Sequence, residues 1–468
     1  MSVRIKFLGG VQTVTGSSHL VSTRFSDILI DCGLFYGRRD EFYELNSSFK
    51  YNPRELDAVL LSHAHIDHCG NLPNLIKRGL HCKIYTTSAT KDLCSLMLAD
   101  SGKVQEEDVR YLNKINRRLG QRQRMRRPLY TEKEGRHSLR KFRALSYRQR
   151  FKVTKDVTCT FYDAAHILGS SIIVLDINSD RNNNMRIGYA VDLGRKGLPL
   201  LNEPTIIEGM DYLILESTYG GRVHSPIAEA KNKLKDAINR TIERSGKVII
   251  PSFALERAQE VIYFLNELIK EKQIPPIPIY VDSPLATNIT DVFRTHYGYL
   301  DNETRMAMKS KKEGPFDFVN LNYIADRNDS KSLNNDKRPM IIIAGSGMCE
   351  AGRILHHLKN NITESKNTVL VVGYMAENTL GKKIVERQRY VRIYGVEYEL
   401  NAEVVVINAF SGHADKNELC EYVKSCLPIK KVFIVHGEKE QSENIAGLLS
   451  QSGINTHIPE KYEEAVLT

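Results

Sequence analysis

Apolar and polar positions alternate with a short period at the start of the chain. Arg4–Leu8, His19–Thr23, Ile28–Asp31 and Ala58–Ser62 are β-rich runs separated by turn residues, and they predict four strands. Helical spacing then interleaves with strand-like runs, so the pattern predicts an α/β class. After Tyr212–Glu216 the alternation becomes regular. Ser225-Pro226 reads as a helix start, Ile227, Ala230, Leu234, Ala237, Ile238 and Ile242 share one apolar face, and Gly246 closes the helix. The apolar runs Val248–Ile250, Ile279–Val281, Met340–Ala344 and Val369–Val372 predict buried parallel strands in an α/β domain of their own. The polar stretch Asn322 to Lys337 inside it reads as a loop. From Val404 onward, strands carrying histidines return. This layout predicts one domain over 1–209, an inserted parallel α/β domain over 210–395, and a return to the first over 396–468.

Composition narrows the class. At 468 residues the chain is too long for one growing core, which agrees with two domains. Hydrophobic residues at 41% and charged residues at 26% are ordinary for a soluble protein, and no run is long and apolar enough to span a bilayer. The first ten residues carry no charged-then-apolar leader. Eight scattered cysteines without a Cys-x-x-Cys pair exclude a disulfide scaffold and predict a reduced, cytoplasmic protein. Charge is unevenly placed. Between Lys103 and Lys152 stand 17 Lys or Arg against 5 Asp or Glu; of the chain's net +10, this segment carries +12 and the rest −2. A polyanion approaching one region would explain that concentration, and so would a solvated basic hairpin.

The chemistry concentrates in Ser62-His63-Ala64-His65-Ile66-Asp67-His68, directly after the apolar run Ala58–Leu61. Three imidazoles and a carboxylate within six residues would face one another unsatisfied unless a cation joined them. Four distant residues repeat one local setting, a strand end beside a glycine or turn. They are Asp31 before Cys32-Gly33, His166 in Ala165-His166-Ile167-Leu168-Gly169, Asp192 before Leu193-Gly194, and His436 before Gly437. Together they predict a binuclear metal site. Gly345-Ser346-Gly347-Met348, between a buried strand and a helix, is a candidate phosphate cradle, although glycines serve tight turns as well.

The set resembles the metallo-β-lactamase superfamily, and more narrowly its β-CASP branch of nucleic-acid nucleases, through nearly the whole chain. Leu215-Glu216-Ser217-Thr218-Tyr219-Gly220 and Phe410-Ser411-Gly412-His413-Ala414-Asp415 carry the branch resemblance, with His436 as its third motif. The resemblance implies a metallo-β-lactamase αββα sandwich with an inserted β-CASP domain, and two zinc ions per chain. His63, His65 and His166 would hold one ion, Asp67, His68 and His436 the other. Asp192 would bridge them, and Asp31 would orient a ligand from behind. Catalytic roles would fall to Asp67, Glu216, His413 and Asp31. His413 would contact the scissile phosphate with Glu216 holding it, and Ser346, Gly347 and Met348 would contact phosphate too. Arg257 and Tyr374 would contact RNA.

The activity implied is hydrolysis of single-stranded RNA by a two-metal-activated hydroxide, leaving a 5′-phosphate and a 3′-hydroxyl; endonucleolytic cutting is the expectation, with cutting from the 5′ end left open. In the family, RNA-cutting members have histidine where this chain has His436, and DNA-repair members have valine. A β-CASP DNA nuclease and a non-catalytic RNA-processing scaffold subunit stay open as alternatives, as does a homodimer; no membrane partner is expected. The pattern of the first domain begins at once with Arg4–Leu8 and no long extension follows, so the chain looks less like RNase J than like compact prokaryotic relatives of the nuclease subunit of the cleavage and polyadenylation factor. The Arg-rich stretch Arg117 to Arg127 has no counterpart in the resemblance.

Overall fold

The structure is a computed structural model that describes residues 2–37, 39–120, 125–179, 183–309 and 314–468. The first eleven strands are β1 (Val3–Gly9), β2 (Ser18–Ser22), β3 (Asp27–Ile30), β4 (Ala58–Leu60), β5 (Ile84–Thr87), β6 (Phe142–Leu145), β7 (Arg150–Lys152), β8 (Val157–Asp163), β9 (Ser171–Ser179), β10 (Asn183–Ala190) and β11 (Tyr212–Leu215). Eight more follow: β12 (Lys247–Pro251), β13 (Ile279–Val281), β14 (Leu321–Tyr323), β15 (Met340–Ala344), β16 (Thr368–Val372), β17 (Tyr390–Ile393), β18 (Val396–Glu399) and β19 (Glu403–Ile407). The chain closes with β20 (Lys431–Ile434), β21 (Thr456–His457) and β22 (Glu464–Leu467).

Two compact units emerge. The first comprises Met1–Lys196, Glu203–Val223 and His413–Thr468; the second comprises Gly197–Asn202 and His224–Gly412. In the first, two seven-stranded sheets run β22-β1-β2-β3-β4-β5-β6 and β21-β20-β11-β10-β9-β8-β7. Alternate residues of both sheets, among them Ile5, Phe7, Ile28, Ile30, Phe161, Ile173, Tyr189 and Phe433, make one buried core. The opposite face of the second sheet, through Leu213, Leu215, Val432 and Ile434, packs on Leu419, Val423, Ile445 and Leu449 of helices Lys416–Ser425 and Lys439–Gln451. Antiparallel pairing at one side of each sheet gives way to parallel pairing: β3 with β4, β10 with β11, and β11 with β20. The carboxyl ends of parallel strands leave loops free to converge, as in other α/β folds where ligands bind there.

A 31-residue helix, Ser88–Arg118, starts behind β5 with Thr87 as its cap, accepting from the Thr90 N–H. It ends where Gly120 takes a left-handed φ of 70°. The basic stretch is therefore largely helical up to Arg118; the part of the Arg-rich run at 121–124 lies outside the described residues.

The second unit is built on a six-stranded sheet ordered β14-β13-β15-β12-β16-β19, parallel at every pairing, with a separate β17–β18 hairpin. Strands buried along their whole length, such as β12, β15 and β16, account for the near-continuous apolar runs in the sequence. Two details depart from the sequence pattern. Asn322 to Lys337 is not a loop: β14 enters it, and Arg327–Asn335 is a helix capped by the Asp326 side chain on the Asn328 N–H. Only Ser330 and Leu333 of that helix are buried, so it carries almost no apolar periodicity to read. In addition, β19 pairs with β16, so Val404–Ile407 belongs to the sheet of the second unit.

Candidate metal centre

Each acid and histidine singled out beyond the first motif sits just past a strand end. Three of these four are in the left-handed region: Asp31 after β3 at φ 58°, Asp192 after β10 at 57°, and His436 after β20 at 49°. L-residues other than glycine seldom adopt this backbone, and it turns each side chain out of the strand's alternation toward the loops. Asp192 is followed by Gly194, where a Cβ would lie 1.9 Å from the Ala165 carbonyl oxygen, and the Gly194 N–H donates to Ala164 O at 2.7 Å. A Cβ on Gly33 would likewise sit 1.6 Å from Asp67 O. These two glycines let the loops close on the His63–His68 turn and on the His166 loop.

The seven metal-ligand candidates come together in two groups, His63, His65, His166 with Asp192, and Asp67, His68 with His436. The ligand atoms within each group lie within 4.8 Å of one another. In the first group His63 Nε2 is 3.1 Å from His65 Nδ1 and 3.2 Å from Asp192 Oδ2, and His166 Nε2 is 3.2 Å from His65 Nδ1. In the second, His68 Nε2 and His436 Nε2 are 3.1 Å apart, with Asp67 Oδ2 3.5 Å from the His436 nitrogen. Asp192 reaches both groups, since its Oδ1 lies 3.5 Å from His68 Nε2.

Two opposing effects set the charges. Burial pushes His63 down to about 4 and His166 well below the usual imidazole range, so both are neutral and offer lone pairs. Burial would also depress His68, but Asp192 and Asp31 outweigh it and raise that ring well above its usual value. Burial would raise Asp192, yet His436 and His68 hold its carboxyl well below the usual range.

This donor set fits divalent metal. Imidazole nitrogens meet nitrogen to nitrogen, and the buried Asp192 Oδ1 takes no hydrogen bond among the described residues despite nitrogens close by. A cation accepts lone pairs from all of them at once, which hydrogen bonds cannot do.

Behind the ligands, Asp31 gathers four donors. The Ser62 N–H donates to its Oδ1 at 2.8 Å; the Ser62 hydroxyl, Tyr189 hydroxyl and His68 Nδ1 lie 2.7, 2.8 and 2.7 Å from Oδ2. With one proton held on His68 Nδ1, Nε2 would face the centre as a lone pair once a bound cation displaced the second proton. Ser62 Oγ is also 3.0 Å from His63 Nδ1, which orients the second ring. Sequence reasoning missed Ser62 and Tyr189. Their signals were weak: one directly precedes His63, and the other is an inward-facing tyrosine at the penultimate position of β10.

Beside the first group stands His413, paired through an isolated bridge with Gly194. Its Nδ1 lies 3.1 and 3.2 Å from the two oxygens of Glu216, and its ring centroid is 4.4 Å from that of His166. Burial works against a charge on His413, but Glu216 and Asp192 prevail and raise it to about 9. Glu216 is fully buried and also accepts the backbone N–H of Leu193 and, at 3.3 Å, of Thr218. Asp415 caps helix Lys416–Ser425 in a reciprocal box with Glu418 and takes a structural part.

The chain's sequence relatives fit this geometry. A profile described as metallo-beta-lactamase superfamily domain matches residues 20–213, one described as Beta-Casp domain matches 258–384, and one described as Zn-dependent metallo-hydrolase RNA specificity domain matches 397–459. A protein named as a ribonuclease in Thermus thermophilus is 33% identical over 451 residues, covering 96% of this chain and 97% of its own length. The chain belongs to the metallo-β-lactamase superfamily, in its β-CASP branch. An RNase J-like protein of Methanocaldococcus jannaschii is 31% identical, covering 95% of this chain and 94% of its own. A transcription termination factor FttA of Pyrococcus horikoshii is 32% identical over 98% of this chain and 70% of its own length. An Enterococcus faecalis protein of unknown function superposes with a TM-score of 0.56 at 13% identity over both full chains, which supports the fold alone.

The β-CASP unit holds the remaining candidates. Ser346, Gly347 and Met348 follow β15, but the Ser346 hydroxyl accepts the N–H groups of Glu350 and Ala351 at 3.2 and 3.3 Å, and its N–H donates to Ala351 O at 3.1 Å. Arg257 is paired with Glu260 at 2.5 Å, and Tyr374 is half exposed. All eight cysteines are free, and no described helix is long and apolar enough to cross a membrane.

Proposed function

We propose that this metal-dependent hydrolase cleaves phosphodiester bonds of single-stranded RNA internally, with two zinc ions per chain. The observation that carries this reading is the pairing of two ligand groups through Asp192, with the charged His413–Glu216 pair beside one of them. His63, His65 and His166 would hold one ion and Asp67, His68 and His436 the other, with Asp192 shared. Bound zinc supplies a nucleophile at neutral pH and offsets the charge that grows on the phosphate oxygens. The chain's own residues do the rest. Asp31 and Ser62 fix which nitrogen of His68 and His63 faces inward. Glu216 holds His413 by Nδ1, so its Nε2 keeps a proton at neutral pH for a phosphate oxygen or for the departing oxygen. Ser346, Gly347 and Met348 are proposed as further phosphate contacts in the β-CASP unit.

Choice of RNA is supported by the RNA specificity profile over 397–459 and by His436. The test uses zinc-loaded protein with a 5′-labelled single-stranded RNA and its DNA twin, beside a His68→Ala control. A ladder of internal RNA products with two zinc ions per chain is expected. Equal cutting of DNA favours the DNA-nuclease reading. Fewer than two ions with no cleavage favours the scaffold. Cutting by His68→Ala at the wild-type rate would assign the activity to a contaminant.

A further inference from the structure

The mechanism leaves the basic helix unexplained. Helix Ser88–Arg118 begins at the metal centre, because the Thr87 and Thr90 hydroxyls lie 2.7 and 2.8 Å from the carbonyl oxygen of Gly169, in the His166 loop. At 1.5 Å per residue, Lys103 stands about 22 Å and Arg118 about 45 Å along the axis from Ser88. Five exposed cations lie on this distal half: Lys103, Arg110, Lys114, Arg117 and Arg118. At 100° per residue they fall within an arc of about 100°, opposite the buried Gly102, Gln105 and Val109. Among the described residues none of the five makes an ion pair within 4 Å, although Asp100 feels the charge of Lys103, and Glu107 is the one acid inside the arc. Tyr111 flanks the stripe, 58% exposed.

The segment returning from the helix is built against it. Asn113 clamps Arg126 through both backbone groups at 2.9 Å, the Leu129 N–H donates to Gln105 at 3.1 Å, and the Tyr130 hydroxyl bonds Ser101 at 2.8 Å. Arg126 stacks over Tyr43 at 4.7 Å, and Arg127 is exposed beside it. The five cations are thus displayed on a helical arm braced by the segment from Arg126 to Tyr130.

We propose that this arm is a second, sequence-independent RNA contact, gripping backbone phosphates well away from the cut bond while Tyr111 stacks on a base. The proposal rests on the RNA reading above. Cations spaced 7, 4, 3 and 1 residues apart along one face, beside an exposed ring, suit a single-stranded polyanion. A second copy of this chain suits it poorly, because a twofold contact would set the same cations against each other.

The test compares the wild type with a variant carrying Lys103→Gln, Arg110→Gln, Lys114→Gln, Arg117→Gln and Arg118→Gln, and separately with Tyr111→Ala. Binding is read on zinc-loaded protein that also carries His413→Ala, so that RNA persists; cleavage is read with His413 intact. For a single-stranded RNA of about 30 nucleotides, neutralisation is expected to weaken binding at least about 10-fold and to flatten the log–log salt dependence by about 3.5, from five contacts at about 0.7 each. The rate on an RNA of about 5 nucleotides, too short to reach the arm, stays unchanged. Tyr111→Ala weakens binding without altering the salt slope. Equal affinity and slope in the neutralised variant overturn the proposal. So does a wild-type dimer that this variant loses in sedimentation, or tighter wild-type binding to phosphatidylserine vesicles than to RNA. If the wild type binds RNA through the stripe but does not cut it, the arm stands and the nuclease reading falls. If it cuts RNA with the stripe irrelevant, the reverse holds.

Discussion

Asp31→Asn is the sharpest test of how the centre is held, because the substitution keeps the shape and removes only one acceptor. Oδ2 of Asp31 meets three donors, the Ser62 and Tyr189 hydroxyls and His68 Nδ1, while Oδ1 meets the Ser62 N–H. An amide has one oxygen and one NH₂, so it fails in either orientation. With its oxygen toward His68, its NH₂ confronts the Ser62 N–H, which cannot turn away, and a buried unpaired donor costs about 1–3 kcal/mol. With its NH₂ toward His68, the hydroxyls can reorient, but the ring must move its proton to Nε2 and lose the lone pair that faces the centre. Loss of such a partner lowers metal affinity about 10- to 100-fold, or about 1.4–2.8 kcal/mol. Zinc competition against a chromogenic chelator, together with a thermal melt of the metal-free protein, covers both orientations. If zinc affinity stays within about twofold and the melt is unchanged, the orienting role assigned to Asp31 is wrong.

Other outcomes follow from the same geometry. Glu216→Gln should leave two zinc ions bound yet cut kcat about 10²- to 10⁴-fold, because His413 loses its charge partner; since Glu216 helps raise His413 to about 9, the alkaline limb of the pH–rate profile should move to lower pH, and an unmoved limb would exclude His413 as its source. Asp282→Asn should cost the β-CASP unit about 3–5 kcal/mol in denaturant melts, because fully buried Asp282 bonds Arg353, His357 and Ser330, each at 2.6 Å. His357, Ser330 and Arg353 hold the Asp282 carboxyl below its usual range against burial, so its contribution is complete above about pH 4, declines as pH falls toward the folded pKa, and should be missing from the acid melt of the variant. Chelation of zinc at 100 times Kd should remove about 2.7 kcal/mol from the first compact unit and lower its melting transition, with the β-CASP unit's transition unmoved; a shift in both would show that the metal supports the whole chain.

Much of the centre was legible because its chemistry is local. His63, His65, Asp67 and His68 share one turn, and no reading other than metal reconciles so many lone pairs in six residues. Asp192 and His436 were legible as polar residues closing apolar strands. Their φ values were not, since nothing in an Asp or His announces a left-handed backbone; the packing of Gly194 on Ala165 and the hydrogen bond from the His436 N–H to Gly10 O impose it.

What stayed hidden depends on distance along the chain. Tyr189 reaches Asp31 across 158 positions, and Asp282 meets His357 across 75, so each looks like an ordinary core residue until the sheets assemble. The helix Arg327–Asn335 was missed for a related reason: its stability comes from a cap and two buried side chains rather than an apolar face. The order of apolar and polar residues alone determined the α/β class, the inserted parallel sheet and the local metal motif, because strand and helix periods are properties of neighbouring residues. Which loops meet, which imidazole nitrogen faces inward and which acids hold a charge were decided only by the tertiary structure, because burial and Coulomb interactions depend on neighbours that the fold, and not the chain order, brings close.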